Sequence, residues 1–317
     1  MTLVRAGVVG VGHLGYHHAR NYAALDGVTL AGLVDTDAAH AAKAADDFHT
    51  ASYSSIQELV DAGVDAVSVA VPTRAHHAAV MELLGAGVAV LVEKPIASTS
   101  GEAREMVQAA AEHGRLLQVG HIERFNGAVM MLMGAVDAPR FIECHRLSPY
   151  PSRGDDVSVV LDLMIHDLDI VLALAGSKVS SVDAVGVPVF SPYEDIANAR
   201  LRFASGCVAN LTSSRISVER MRKIRVFSGD AYLSTNYTEQ EVLVYRKKPG
   251  PVPPDVPPMQ WITIDSLPVE REEPLKRELG SFVACVRERR RPVVSGEDGL
   301  AALELAQEIV GAIREHS

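Results

Sequence analysis

Cysteine is scarce. The 317 residues hold three, Cys144, Cys207 and Cys285, far apart and with no C-x-x-C pair. This excludes a disulfide framework and a cysteine-ligated zinc site, and points to reduced thiols in a cytoplasmic protein. Positive charge is also in deficit: 30 Lys and Arg face 40 Asp and Glu, a net charge of −10. That argues against nucleic acid or an anionic membrane as a partner. No apolar run approaches the roughly eighteen residues of a membrane span, and no basic-then-apolar leader opens the chain. A protein neither secreted nor membrane-spanning is expected. No internal repeat is visible.

What is present is ordinary globular composition, 48% apolar and 22% charged, in a length that suits about two domains. The opening stretch is the most informative. A β-branched run, Leu3 to Val9, ends in Gly10-Val11-Gly12-His13-Leu14-Gly15, and a helical pattern follows at once. Strand, G-x-G-x-x-G turn and helix form the dinucleotide-binding fingerprint in its required context. Gly10 permits the tight turn, Gly12 lets backbone approach a pyrophosphate, and Gly15 lets helix and strand pack closely. A second apolar run, Val28 to Val34, ends in Asp35, twenty residues beyond Gly15. A carboxylate there accepts hydrogen bonds from an adenosine ribose and repels a 2′-phosphate, which favours NAD over NADP.

Up to about Gly120, apolar runs alternate with helical stretches near 38–48, 55–62, 74–86 and 99–113. That alternation implies a doubly wound parallel sheet covered on both faces, a Rossmann domain over 1–121. Its ligands bind beyond the carboxyl ends of the strands. Two such ends stand out. In Val71-Pro72-Thr73-Arg74-Ala75-His76, Pro72, Thr73 and His76 are candidates for cofactor contact, with a helix cap and a surface histidine as the plainer readings. In Glu93-Lys94-Pro95, a lysine directly after a buried strand points to the nicotinamide and to a catalytic role, and Glu93 to cofactor contact. His13 and Leu14 complete the expected cofactor set.

Beyond Gly120 a Met-rich helix, Ala128–Val136, has methionines that suit core filling. Strand-like runs then follow one another without intervening helices, which predicts an α+β domain over 122–317 with a mostly antiparallel sheet. The proline-rich stretch 249–258 reads as a solvated loop, and Pro274 opens the first of two closing helices. Arg220, Arg222, Lys223 and Arg225 suit either a solvated strand or contact with a diphosphate.

Within 157–172, Leu161, Met164, Ile165, Leu168 and Leu172 share one helical face. Asp162, His166 and Asp169 fall together on an adjoining stripe, while Asp167 points elsewhere. A carboxylate beside a histidine fixes its tautomer and raises its basicity, as general base catalysis requires. A surface pair and a metal site are the alternatives; the metal reading lacks a third and fourth ligand. Arg124, Arg146, Tyr150 and Arg153 flank this helix or its entrance loop and are candidates for substrate contact, or for salt bridges and packing.

Together, Gly10–Gly15 with Asp35, Glu93-Lys94-Pro95 and Asp162-x-x-x-His166 resemble the glucose–fructose oxidoreductase / inositol dehydrogenase / MocA family over essentially the whole chain. The resemblance implies a Rossmann domain, a second domain with a large open sheet used for homodimer or homotetramer formation, and an NAD-dependent oxidoreductase acting on a sugar secondary alcohol. It also implies that Lys94, Asp162 and His166 meet at the nicotinamide and that Lys94, His166 and Asp169 contact substrate. Gly120-His121-Ile122-Glu123-Arg124-Phe125-Asn126 and Arg153-Gly154-x-Asp156-Val157-Ser158 are similar to the branch of UDP-N-acetylglucosamine 3-dehydrogenases. Gly127 departs from that branch's usual proline, and Val159-Val160 replace paired small residues. The resemblance implies a UDP-linked N-acetylhexosamine oxidised at C3, with a free-sugar or inositol dehydrogenase and a non-catalytic NAD-binding regulator as alternatives.

Overall fold

A computed structural model describes residues 3–150, 157–229 and 231–315. The N-terminal apolar runs become β1 (Val4–Val9), β2 (Val28–Val34), β3 (Ser52–Tyr53), β4 (Ala66–Val69), β5 (Ala89–Glu93) and β6 (Leu117–Gly120). The helices between them are α1 (His13–Ala24), α2 (Ala38–Phe48), α3 (Ile56–Asp61), α4 (His76–Gly85) and α5 (Ser100–Glu112). All the pairings are parallel, in the order β3-β2-β1-β4-β5-β6. Every residue of β4 is buried, as helices on both faces require. The order reverses between β1 and β4, and ligands of such sheets bind beyond the strand ends at that reversal.

Local chemistry sets the helix starts. The Asp37 side chain accepts from the Ala39 and His40 backbone N–H groups and begins α2. Thr99 and Glu102 form a reciprocal capping box on α5. The expected helix over 74–86 begins differently. A 3-10 turn, Thr73–Ala75, comes first, and no side chain caps α4.

The later chain supplies α6 (Gly127–Ala135), β7 (Phe141–Leu147), a π-helical turn (Val160–Met164), α7 (Ile165–Ala175) and β8 (Val179–Val187). It continues with β9 (Ile196–Phe203), β10 (Val208–Ser214), β11 (Met221–Phe227), β12 (Ala231–Asn236), β13 (Glu241–Lys247) and β14 (Ile262–Leu267). These strands form one sheet, ordered β14-β13-β12-β11-β7-β10-β9-β8. Only the β7–β10 pair is parallel, so the expected mostly antiparallel open sheet is present. Alternate residues of β9 and β10 are buried, the mark of a sheet with one covered face. The other face carries a row of rings, Phe141, Phe227, Tyr232 and Tyr245, with successive centroids 5.7, 4.8 and 4.5 Å apart. Arg225, one of the basic cluster on β11, pairs there with Glu143.

Two helices close the chain, α8 (Pro274–Glu288) and α9 (Gly296–Glu315). The compact units are Met1–Phe125 with Glu273–Leu303, and Asn126–Glu272 with Glu304–Ser317. A single cut after residue 121 leaves α8 with the second half, whereas the structure returns it to the first. Its Leu275, Leu279, Phe282 and Val283 lie on one face and join Val4, Ala19, Tyr22 and Ala41 in the first unit's core.

Candidate active site

In the first unit the glycine turn is built for a ligand that its own side chains do not supply. Gly10 sits at φ +86°, and a Cβ there would lie 2.8 Å from the Ala70 backbone. A Cβ on Gly15 would lie 1.7 Å from the Gly10 carbonyl oxygen, so helix and strand approach this closely only because Gly15 is bare. Gly12 is different: a Cβ there meets nothing within 4 Å. It occupies the N-cap of α1, where no side chain caps the helix and no acidic residue stands in the first turn. Uncapped N–H groups at an open helix start are what a pyrophosphate requires. His13 and Leu14 are exposed in that same first turn.

Asp35 closes β2. One of its oxygens accepts from the Val11 backbone N–H at 2.7 Å, and the other from the Asp37 N–H at 2.9 Å. The carboxylate is thus held against the glycine turn and stays partly exposed. These residues fit a dinucleotide.

The two strand ends are tied to each other. His76 is buried; its Nε2 lies 2.9 Å from the Val71 carbonyl oxygen and its Nδ1 3.0 Å from that of Pro95. Burial pulls its pKa down, outweighing these contacts and the nearby Glu93 charge. A neutral ring has one N–H, so it donates to one carbonyl at a time. Pro72 and Thr73 lie at the 3-10 turn just before it. For Glu93, burial opposes ionisation, but the His18 hydrogen bond, the His18 and Lys94 charges and the Lys94 backbone N–H outweigh it. The carboxyl is held below its ordinary range. Lys94 therefore leaves the strand beside a fixed anion. Arg124 is buried in this unit and donates to the Val293 carbonyl oxygen at 3.4 Å.

In the second unit the expected regular stripe of Asp162, His166 and Asp169 meets a π turn. Val160–Met164 widens the helix before α7 starts at Ile165. Such turns bond i to i+5 and recur at functional sites. The start is anchored by Ser158, whose Oγ accepts from the Val160 N–H and whose carbonyl accepts from the Leu161 and Asp162 N–H groups. Asp162 and His166 are partly exposed, and Asp169 is buried.

Asp167, pointing away from that set, has a structural task. Arg146 grips it with a buried two-pronged bond, Nε to Oδ2 at 2.8 Å and Nη2 to Oδ1 at 2.9 Å, and lies over the Tyr237 ring. Tyr150 is exposed and meets Phe190 edge-on. Arg153 lies outside the described residues. Among the described residues, no group of three or more His, Cys, Asp or Glu side chains is arranged to hold a metal, and no helix is long and apolar enough to cross a membrane.

Three residues escape a reading of sequence. His18 is a polar residue on a buried helix face, and its partner Glu93 is 75 positions away. Arg215 and Asp195 form a fully buried ion pair that also ties down the Val189–Ser191 backbone and the Val157 carbonyl. No local pattern marks either pairing.

Residues 4–121 match the model of an oxidoreductase family with an NAD-binding Rossmann fold, and residues 125–233 match the GFO/IDH/MocA C-terminal domain. The chain is 36% identical to the UDP-N-acetylglucosamine 3-dehydrogenase of Acidithiobacillus ferrooxidans over 314 residues, 99% of this chain and 98% of that one. A solved structure of a UDP-N-acetylglucosamine 3-dehydrogenase from that organism superposes with a TM-score of 0.92 at 35% identity, covering 99% of both chains. Identity to the scyllo-inositol 2-dehydrogenase (NAD(+)) of Bacillus subtilis is 26%, over 95% of this chain and 92% of that one. The chain belongs to the GFO/IDH/MocA family of NAD-binding oxidoreductases.

Proposed function

We propose that the protein oxidises a secondary alcohol of a nucleotide-linked amino sugar, at C3 of a UDP-linked N-acetylhexosamine, with NAD as the acceptor. One observation carries this reading: end-to-end similarity to a UDP-N-acetylglucosamine 3-dehydrogenase, against a weaker match to an inositol dehydrogenase. Asp35, with its carboxylate at the glycine turn, favours NAD over NADP. Gly10, Gly12, Gly15 and Asp35 would hold the dinucleotide, and NAD when bound supplies the hydride acceptor.

The chain's own residues manage the proton. His166, oriented by Asp162, takes the hydroxyl proton, and Lys94 donates a hydrogen bond to the same oxygen as negative charge develops there. Lys94 is the other candidate for the base; the i, i+4 spacing of Asp162 and His166 supports giving that part to His166. A positioned acid–base group contributes about 10²–10⁴ in rate.

The half-exposed row of rings supports a homodimer or homotetramer formed through the open sheet. The buried, unpaired cysteines support a cytoplasmic setting.

The test is formation of reduced nicotinamide on mixing protein, NAD and a panel of UDP-linked and free sugars. Reduction with UDP-N-acetylglucosamine is expected, and Lys94→Met should slow it by about 10²-fold or more while NAD still binds. Activity confined to free sugars or inositols would replace the substrate, and tight NAD binding without turnover would make the chain a regulator.

A further inference from the structure

A lysine at a strand end has a long, flexible side chain, so its usefulness depends on how firmly its backbone is held. His18, on α1, has a side chain only 1% exposed, with Nε2 2.8 Å from Glu93 Oε1. An ionised carboxylate only accepts, so Nε2 carries the proton and donates. The other ring nitrogen, Nδ1, is buried and meets no hydrogen-bond partner among the described residues. Glu93 is therefore the polar tie that fixes this ring. The Glu93 carboxylate in turn accepts the Lys94 backbone N–H. It lies close against Gly120, where a Cβ would sit 3.1 Å from the carboxyl group. His76 meets the carbonyl of the next residue, Pro95, at 3.0 Å. The backbone at Lys94 is thus restrained from both directions by groups that are themselves buried.

We propose that His18 is a positioning residue for Lys94: by holding Glu93, it fixes the backbone from which the lysine side chain reaches the reacting oxygen. The inference rests on the part given to Lys94 under the proposed function. His18 touches neither the carbinol nor the acceptor in this account and acts only through Glu93 and Lys94. Its removal should therefore cost rate without costing cofactor affinity.

The experiment measures kcat, KM and NAD affinity with UDP-N-acetylglucosamine and NAD. The proteins are the wild type, His18→Leu, His18→Gln, Lys94→Met and the double variant. Leucine keeps apolar volume and removes the donor, whereas glutamine restores an N–H near the position of Nε2. His18→Leu should lower kcat about 10²-fold, the scale expected for a displacement of about 1 Å, with NAD affinity unchanged. His18→Gln should recover most of the loss. In the Lys94→Met background, His18→Leu should cause no further slowing, because the two residues act as one unit.

The proposal is overturned if His18→Leu turns over like the wild type, or if it slows Lys94→Met by the same factor as the wild type. Wild-type turnover in Lys94→Met itself would instead overturn the underlying assignment. Should His18→Leu not fold, His18→Gln is compared with His18→Asn, whose shorter amide does not reach the carboxylate. Equal rates for those two would equally overturn it.

Discussion

Gly12 and Gly15 are two glycines of the same motif with opposite structural surroundings, and alanine at each should separate folding from cofactor binding. At Gly12 the added methyl meets nothing within 4 Å. The folded protein without cofactor should lose no more than about 1 kcal/mol, the usual difference between Gly and Ala at an N-cap. The same methyl projects into the space a pyrophosphate needs, so NAD affinity should fall about 10²-fold, or about 2.7 kcal/mol. At Gly15 the methyl would sit 1.7 Å from the Gly10 carbonyl oxygen. Backbone must move there, at a cost of about 1–3 kcal/mol in folding before any cofactor is added. Calorimetry with and without NAD separates the two effects. At a cofactor concentration of about one hundred times the wild-type Kd, the wild type gains about 2.7 kcal/mol from binding. A variant bound a hundredfold more weakly gains about 0.4 kcal/mol. A Gly12→Ala protein stabilised by NAD as strongly as the wild type would show that the pyrophosphate does not lie over Gly12.

Further consequences can be checked directly. Asp35→Ser should narrow the preference for NAD over NADP by about tenfold or more, read as the ratio of the two Kd values, because the charge that repels a 2′-phosphate is gone. An unchanged ratio would remove Asp35 from the cofactor assignment. Asp195→Asn should destabilise the fold by about 3–5 kcal/mol in chemical denaturation, since it leaves Arg215 buried without its counter-charge. The wild-type pair also has a pH signature. Burial opposes ionisation of Asp195, but three backbone N–H groups and Arg215 outweigh it and hold the folded-state pKa below the unfolded value. Its contribution is complete above about pH 4 and declines as pH falls further. The acid limb of the stability curve should accordingly be shallower in the asparagine variant, and an identical limb would contradict the assignment. Arg146→Met strands the Asp167 carboxylate in a buried site and should cost a similar amount, about 3–5 kcal/mol; a loss below about 1 kcal/mol would mean the pair is effectively solvated.

Much of this was legible in one dimension because the signals are short-range. The glycine spacing, the run ending in Asp35 and the strand ending in Glu93-Lys94 each declare themselves within a few residues. The helices at 38–48 and 99–113 carry their own caps in Asp37 and in Thr99 with Glu102. What stayed hidden is what depends on distant partners. β3 is two residues long, too short for any alternation to register. The apolar face of α8 shows that the helix is covered but not by what, so its return to the first unit's core had no local sign. His18 and Glu93, and Asp195 and Arg215, are polar residues whose meaning lies in each other. The π turn is hidden for another reason: its apolar residues read equally well at the period of an ordinary helix.

That turn makes chain length and direction interchangeable where Asp162 lies. Each residue of a regular helix rotates the chain by about 100°, so deleting Leu163 or Met164, the residues of the π turn that lie between Asp162 and His166, would do more than shorten a segment. It would re-phase everything on the N-terminal side, swinging the carboxylate about a quarter-turn while the histidine stayed where α7 holds it. Single insertions or deletions at this point are therefore changes of aim, a route by which a related scaffold could redirect an acidic group without replacing one amino acid by another.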